Sequence, residues 1–275
     1  MTVDGATDCE FSSIDSTDVT YGARSHIGGR KTNQDELRLP LPNEESNGRG
    51  ILFAVADGMG GHKAGATASR MASEGLTGYF NHRIAAGGSY TASVLRRHLE
   101  EVIHRSARHI RLAGRRHREL EDMGTTLSCL VLLERFTIVA HVGDSRVYRL
   151  RKGHLTRLTT DHTFVQEMVD EGEVKPEEAV FHPLRNLLTR AVGTMESLEM
   201  VDTRIDRLHP GDHYLLCSDG LYNAVDDQRI AGLLSAGVSA RSMAAELVDA
   251  ALANNARDNV TAVVIVRPPS KVKSI

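Results

Sequence analysis

LVLLERFTIVAHVGDSRVYRL (residues 130–150) decides the reading of the fold. It holds apolar, β-branched runs separated by two tight connections, Glu134-Arg135 and Gly143-Asp144, so it reads as an antiparallel meander. Similar runs lie on either side, at 19–28, 50–57, 125–134, 212–219 and 259–266, several of them bounded by Gly, Asp or Asn. Helical periods occupy other stretches. Residues 64–80 are rich in Ala and suited to close packing on a sheet, and 93–120 place Leu95, Leu99, Val102, Ile103 and Ile110 on one face. A last pair is expected at 226–235 and 239–253, with Gly237 between. Strands gathered centrally with helices before and after them imply an α+β fold of mostly antiparallel sheets covered by helices. A doubly wound parallel sheet would need strict strand–helix alternation, which is missing.

The chain has 275 residues, 41% hydrophobic and 25% charged, as in an ordinary globular protein. Its net charge of -3 argues against a general nucleic-acid binder. No run of about 18 apolar residues is present, so no membrane span is expected. Three cysteines, two of them in strand-like runs, read as reduced thiols and place the protein in the cytoplasm. The polar, acidic residues 1–18 read as a flexible tail, 19–267 as one domain and 268–275 as a short C-terminal tail.

Four separated segments carry aspartates: RKTNQD ending at Asp35, VADGMGGH around Asp57, LLCSDGL around Asp219 and ARDNVTAVVI around Asp258. A DG pair alone marks only a turn. Four such carboxylates at strand ends have a common use, which is to hold hard divalent cations through oxygen. Asp57 follows the apolar run ILFAVA, and the GMGG after it lets backbone carbonyls, Gly58's among them, approach a ligand. An oxygen-only set favours Mg²⁺ or Mn²⁺ over zinc, and no HExxH or CxxC pattern is present. Two such ions would activate a bridging water and clamp an in-line displacement at phosphorus. Arg30, five positions before Asp35, is the candidate to hold the phosphoryl oxygens through its bidentate fork.

These residues resemble the metal-dependent protein phosphatases, the type 2C serine/threonine family. The resemblance rests on RxxNQD, VADGMGGHxxG, GTT (124–126), HVGDSRVYRL, LTTDHTFVQ, LLTRAVGT, LLCSDGL and ARDNVTAVV, in that order over roughly 20–267, and DGMGGH resembles the bacterial branch. It implies a four-layer α-β-β-α sandwich with two mostly antiparallel sheets flanked by helix pairs. It implies hydrolysis of phosphoserine and phosphothreonine monoesters in opposition to a serine/threonine kinase; the chain is expected to act as a monomer. Asp57 would bridge two Mn²⁺ or Mg²⁺ ions, the Gly58 carbonyl would join one, Asp219 and Asp258 would hold the other, and Asp35 would act beside them, through water. Many eukaryotic members carry Glu at the place of Gln34. A third ion, as in some members, would fall at Glu121 or Asp122. Met59 stands where eukaryotic members carry their acid histidine, leaving His62 as the candidate proton donor. Residues about 161–190 match a mobile flap associated with substrate choice.

Other readings are weaker. Cys129 and Arg135 satisfy CxxxxxR, but the LVLLE between them has no glycine to cradle a phosphate. Residues 96–118 hold eight Arg and four His, best read as a solvated helix face. GDSR (143–146) reads as a tight turn braced by an Asp–Arg pair. A non-catalytic phosphoprotein-binding regulator is the alternative function; lost metal aspartates would be its signature, and Asp57, Asp219 and Asp258 are all present.

Overall fold

The computed structural model describes residues 6–14, 19–40, 49–81, 91–194 and 198–269, the backbone alone at 6–14, 62 and 81. In chain order the strands are β1 (Ala6–Ile14), β2 (Val19–His26), β3 (Asp35–Arg38), β4 (Ile51–Met59), β5 (Gly124–Thr125) and β6 (Leu127–Leu132). Then come β7 (Phe136–Val142), β8 (Arg146–Arg151), β9 (His154–Arg157), β10 (Asp202–Arg207), β11 (His213–Cys217) and β12 (Val260–Val266). The helices are α1 (His62–Gly75), α2 (Thr77–Asn81), α3 (Ala92–Arg116), α4 (Phe164–Asp170) and α5 (Pro176–Ala179). Three more, α6 (Asp219–Tyr222), α7 (Asp227–Leu234) and α8 (Ala240–Ala253), lie toward the C-terminus.

One sheet runs β1-β2-β12-β11-β8-β9 and the other β10-β7-β6-β4-β3, with β5 paired to β4. Every pairing between them is antiparallel. The ILFAVA run explains the layering. Leu52, Ala54 and Ala56 face α1 and α3, whereas Ile51, Phe53 and Val55 face the opposite sheet. The same division holds in β12, where Val260, Ala262 and Val264 meet α7 and α8 and Val263 and Ile265 face inward. A strand buried on both faces must be apolar throughout, so its sequence loses the alternation of a half-exposed strand. Three hydrophobic layers result: helices on sheet, sheet on sheet, sheet on helices. The expected four-layer α-β-β-α sandwich is present.

The expected helices appear with shifted ends. The 64–80 period breaks at Leu76 into α1 and α2, with Ala64, Ala68 and Ala72 buried one turn apart. Thr91, Asp226 and Ser239 cap α3, α7 and α8 through their side-chain oxygens.

Two expectations are corrected. Glu134-Arg135 joins a true hairpin, β6–β7, but Gly143-Asp144 does not: β8 leaves that sheet and pairs with β11 and β9. A tight turn reverses the chain without dictating which sheet receives the next strand. Here Gly143 has φ +106°, and a Cβ there would lie 2.6 Å from Thr126 atoms, so the turn packs against β6's approach and delivers β8 across the sandwich. Second, residues 6–14 are not a tail. They form β1, in register with β2 from Ala6–His26 to Phe11–Tyr21. Backbone pairing at an open sheet edge needs no large apolar side chains, so composition is silent about it. Of the expected tails, residues 1–5, 15–18 and 270–275 lie outside the described residues.

Candidate metal centre

The site forms where strand ends from both sheets meet. Antiparallel register puts Asp35 at the start of β3 directly opposite Asp57 near the end of β4. Two carboxylates facing each other across a strand pair repel unless something positive neutralises them. Asp57 is fixed through its backbone: its N–H donates to Thr126 Oγ1 at 2.8 Å, and its carbonyl accepts from Thr126 N and Thr125 Oγ1, each at 2.9 Å. The GTT segment is therefore a clamp on Asp57. Beyond it, Gly58 and the start of α1 pass as bare backbone, since a Cβ on Gly58 would sit 2.2 Å from Gly65 O.

Asp219 opens α6 just after β11 and is buried. Its Oδ2 accepts from Asn223 Nδ2 at 3.1 Å, while its Oδ1 is buried with no hydrogen-bond partner. Asp258 precedes β12; its Oδ1 accepts from Asn259 N at 2.9 Å and its Oδ2 from Arg30 Nη2 at 2.5 Å. Asn259 ties this end to the Arg30 segment, accepting from Gln34 N at 2.8 Å and donating to Ile27 O and Thr32 O. Asp35 directs Oδ2 to Ser218 Oγ and Thr261 Oγ1, both at 2.7 Å, and its buried Oδ1 has no partner.

The electrostatics follow from this packing. Burial pushes the Asp57 carboxyl well above the usual range, and the charges of Asp35, Asp219, Asp144 and Asp258 add to the shift. Burial does the same for Asp219, reinforced by Asp144, Asp258 and Asp35. Burial raises Asp35 to about 6 against the pull of its two hydroxyl donors. A group of buried acids that raise one another in this way binds either protons or cations. Among the described residues no three His, Cys, Asp or Glu side chains form a finished cage. Mg²⁺ and Mn²⁺ do not require one, because a hard ion that keeps several waters needs few protein oxygens. The unpartnered oxygens of Asp219 and Asp35 and the all-oxygen donor set fit such ions.

Sequence reading anticipated Asp35, Asp57, Gly58, Asp219, Asp258 and Arg30, and the fold brings them together. It missed Asp144. The anticipated Asp144–Arg146 pair is absent: Arg146 binds Asp161 instead, with Nη2 to Oδ2 at 2.6 Å, and stacks on Tyr222 at 3.5 Å. Asp144 is buried beside Asp219, its carboxyl pushed up to about 7, first by burial and then by Asp161. The signal was the Gly before it, since a turn that crosses between sheets at a strand end exposes its next residue to the same cluster. Glu121 and Asp122, the anticipated place for a third ion, are exposed and share a cavity with four arginines, which repel a cation. His62 opens α1, and its side chain lies outside the described residues.

A cleft of about 370 Å³ joins Arg30, Asp219 and Asp258 to Arg185 and Asn186 of the 161–190 segment. That segment is fastened at both ends: His162 N donates to Gly143 O at 2.7 Å, Thr189 N to His162 O at 2.9 Å, and Arg190 pairs with Asp202 at 2.8 Å. Its middle exposes Val180 and Phe181.

Comparison with known proteins agrees with this architecture. The family profile described as Protein phosphatase 2C matches residues 23–260. A serine/threonine protein phosphatase, PstP, of Mycobacterium tuberculosis is 39% identical over 247 residues, covering 90% of this chain but 44% of its own length. The chain thus spans less than half of that relative. A putative 2C-type phosphatase of Streptococcus pyogenes is 35% identical over 86% of this chain and 93% of its own length. The crystal structure of the catalytic domain of PstP in complex with two manganese ions superposes with a TM-score of 0.76 at 35% identity, covering 90% of this chain and 97% of that one. On the match over most of its length and on a sandwich that gathers the carboxylates of RxxNQD, DGMGG, SDG and DN at one edge, the chain belongs to the protein phosphatase 2C family.

Proposed function

We propose that this chain is a serine/threonine protein phosphatase domain that hydrolyses phosphoserine and phosphothreonine monoesters with two Mn²⁺ or Mg²⁺ ions. The observation that carries the reading is the set of buried, mutually repelling carboxylates with unpartnered oxygens on Asp219 and Asp35. Asp57 stands opposite Asp35 and feels the charges of Asp219 and Asp258, so its carboxylate and the Gly58 carbonyl would be among the oxygens that hold the ions. Asp219 and Asp258 would supply further carboxylate oxygens to them. Asp35, whose Oδ2 is taken by two hydroxyls, would act beside the ions through water. Asp144, whose charge acts on Asp219 and Asp57, is the acid suited to any third ion. When bound, the ions supply positive charge that polarises water and phosphoryl oxygens.

The chain's own residues do the rest. Arg30, half exposed at the mouth of the cleft, senses Asp258, Asp219 and Asp57 and is placed to take phosphoryl oxygens. His62, at the end of the loop after Asp57, is the candidate to hand a proton to the departing serine or threonine oxygen. Its substrates are products of a serine/threonine kinase, the activity it opposes. The retained aspartates weigh against a non-catalytic regulator. Among the described residues no helix is long and apolar enough to cross a membrane.

The test is turnover of a phosphothreonine peptide and of p-nitrophenyl phosphate with Mn²⁺ and after exhaustive chelation. Activity with metal and none without is expected. Undiminished activity after chelation rejects the metal assignment; no activity under either condition rejects the phosphatase reading.

A further inference from the structure

The end of α3 gathers arginines around a cavity of about 770 Å³, walled by Arg111, Arg115, Arg116 and Arg118 with Glu121 and Asp122 at its edge. Four cations against two acids leave an excess of two positive charges, in a chain whose net charge is -3. The guanidinium groups of Arg111, Arg116 and Arg118 make no hydrogen bond or ion pair among the described residues. A plain structural role explains part of this, because cations at a helix C-terminus offset the macrodipole. That accounts for Arg115 and Arg116 in the last turn. It does not account for Arg111 a turn earlier, or for Arg118, which lies beyond the helix in a 3-10 turn.

The cavity adjoins the metal centre. Met123 lines it, and the Met123 Cα lies 3.4 Å from where a Cβ on Gly60 would stand. Gly124 pairs with Met59, and the Thr194 methyl packs against Gly124. The Asp57–Gly60 segment, at the end of β4, therefore lies between cavity and carboxylates. Gly60, which abuts the cavity lining, is three residues from Asp57 and so at most about 10 Å of backbone from it, a separation that a few residues of extended peptide cover.

We propose that this cavity is a second phosphate-binding subsite, which takes a phosphoryl group a few residues from the one being hydrolysed and so favours multiply phosphorylated segments. Guanidinium groups bind phosphate dianions through paired N–H donors, and several of them around one concavity hold a dianion more tightly than they hold a singly charged carboxylate. The inference rests on the phosphatase reading for its meaning, and the phosphate is held, not hydrolysed, here.

The experiment compares a phosphothreonine peptide with the same peptide carrying a non-hydrolysable serine phosphonate about four positions away, on either side, in Mn²⁺. Wild type should show a KM roughly tenfold lower for the second peptide in one of the two orientations. The double variant Arg116→Gln, Arg118→Gln should lose that gain while turning over p-nitrophenyl phosphate as wild type does. Arg105→Gln with Arg108→Gln, which removes the same charge from exposed positions elsewhere on α3, should keep it. An undiminished gain in the first double variant overturns the proposal, as does an equal loss in the second, which would show long-range charge alone. An equal gain from glutamate at the phosphonate position overturns phosphate as the ligand. Should the double variant melt early, the two single variants carry the same comparison. Absence of p-nitrophenyl phosphate turnover in wild type would strike the phosphatase reading instead. The subsite would then still be tested by fluorescence anisotropy of the phosphonate peptide on wild type and variants.

Discussion

Asp212 and Asp219 lie seven residues apart, flank the same strand, and are both buried, yet their carboxyls shift in opposite directions. Asp212 has its charge answered from every side: Arg151 grips it through Nε at 2.6 Å and Nη2 at 2.7 Å, and His209 N and Tyr214 OH donate as well. Despite burial, those partners hold its carboxyl below the usual range. Asp219 receives one amide hydrogen bond, keeps an oxygen without a partner, and faces other acids, so its carboxyl rises. Burial alone therefore says little about an aspartate's role. A satisfied acid holds the fold together, whereas an acid left unsatisfied among its own kind is a place for a cation.

Exchanging each for asparagine breaks the comparison most sharply. Asp219→Asn should lower kcat by roughly a thousandfold or more, since a lost metal-ligating charge removes a large share of transition-state stabilisation. Its melting temperature in chelator should stay equal or rise, because one repelling charge is gone. Asp212→Asn should do the reverse, keeping kcat per folded molecule and losing about 2–3 kcal/mol of stability in urea, with Arg151 left half-answered. The sign of the pH dependence follows: a carboxyl held below its unfolded value near 4 stabilises fully above that value, and the contribution is lost as pH falls through the folded value. The acid side of the Asp212→Asn unfolding profile should accordingly be flatter than wild type. A stable, active Asp219→Asn would remove the distinction between the two sites.

Arg30 answers one acid of the unsatisfied cluster, half exposed and paired with Asp258. Arg30→Ala should raise KM for phosphopeptides about tenfold with a smaller fall in kcat, as expected for a side chain that holds a phosphoryl group. An unchanged KM would leave Arg30 only as a brace for Asp258. The smallest effect belongs to Asn223, whose amide occupies Asp219 Oδ2 and so leaves Oδ1 free for a cation. Asn223→Ala should weaken the Mn²⁺ dependence of turnover by roughly tenfold, with kcat at saturating metal nearly intact. If metal dependence is unaltered, the amide does not orient the carboxylate.

Much of the fold was readable because its central strands are apolar on both faces, as in ILFAVA and VTAVVIV, and its long helices carry clear periods. The short or polar edge strands were not. Within β10, DTRIDR carries four charged residues among six, and β1 contributes backbone pairing that composition cannot register. In the site, Asp57, Asp219 and Asp258 were legible because each sits beside a Gly or Asn at the end of an apolar run. Asp144 has the same local signature. It was assigned to Arg146 because sequence proximity suggested an ion pair that geometry gives to Asp161.

By itself the sequence determined the carriers: two-faced strands, capped helices, and acids placed where strands end, all of which follow from local pattern and burial. Only the tertiary structure decided how those acids relate. Register across β3 and β4 sets Asp35 against Asp57, and the crossing at Gly143 brings Asp144 to Asp219. The contrast between Asp212 and Asp219 has the same origin. Whether a carboxylate meets an arginine or another carboxylate depends on which strands lie side by side, and the force between charges depends on distance in space, not along the chain.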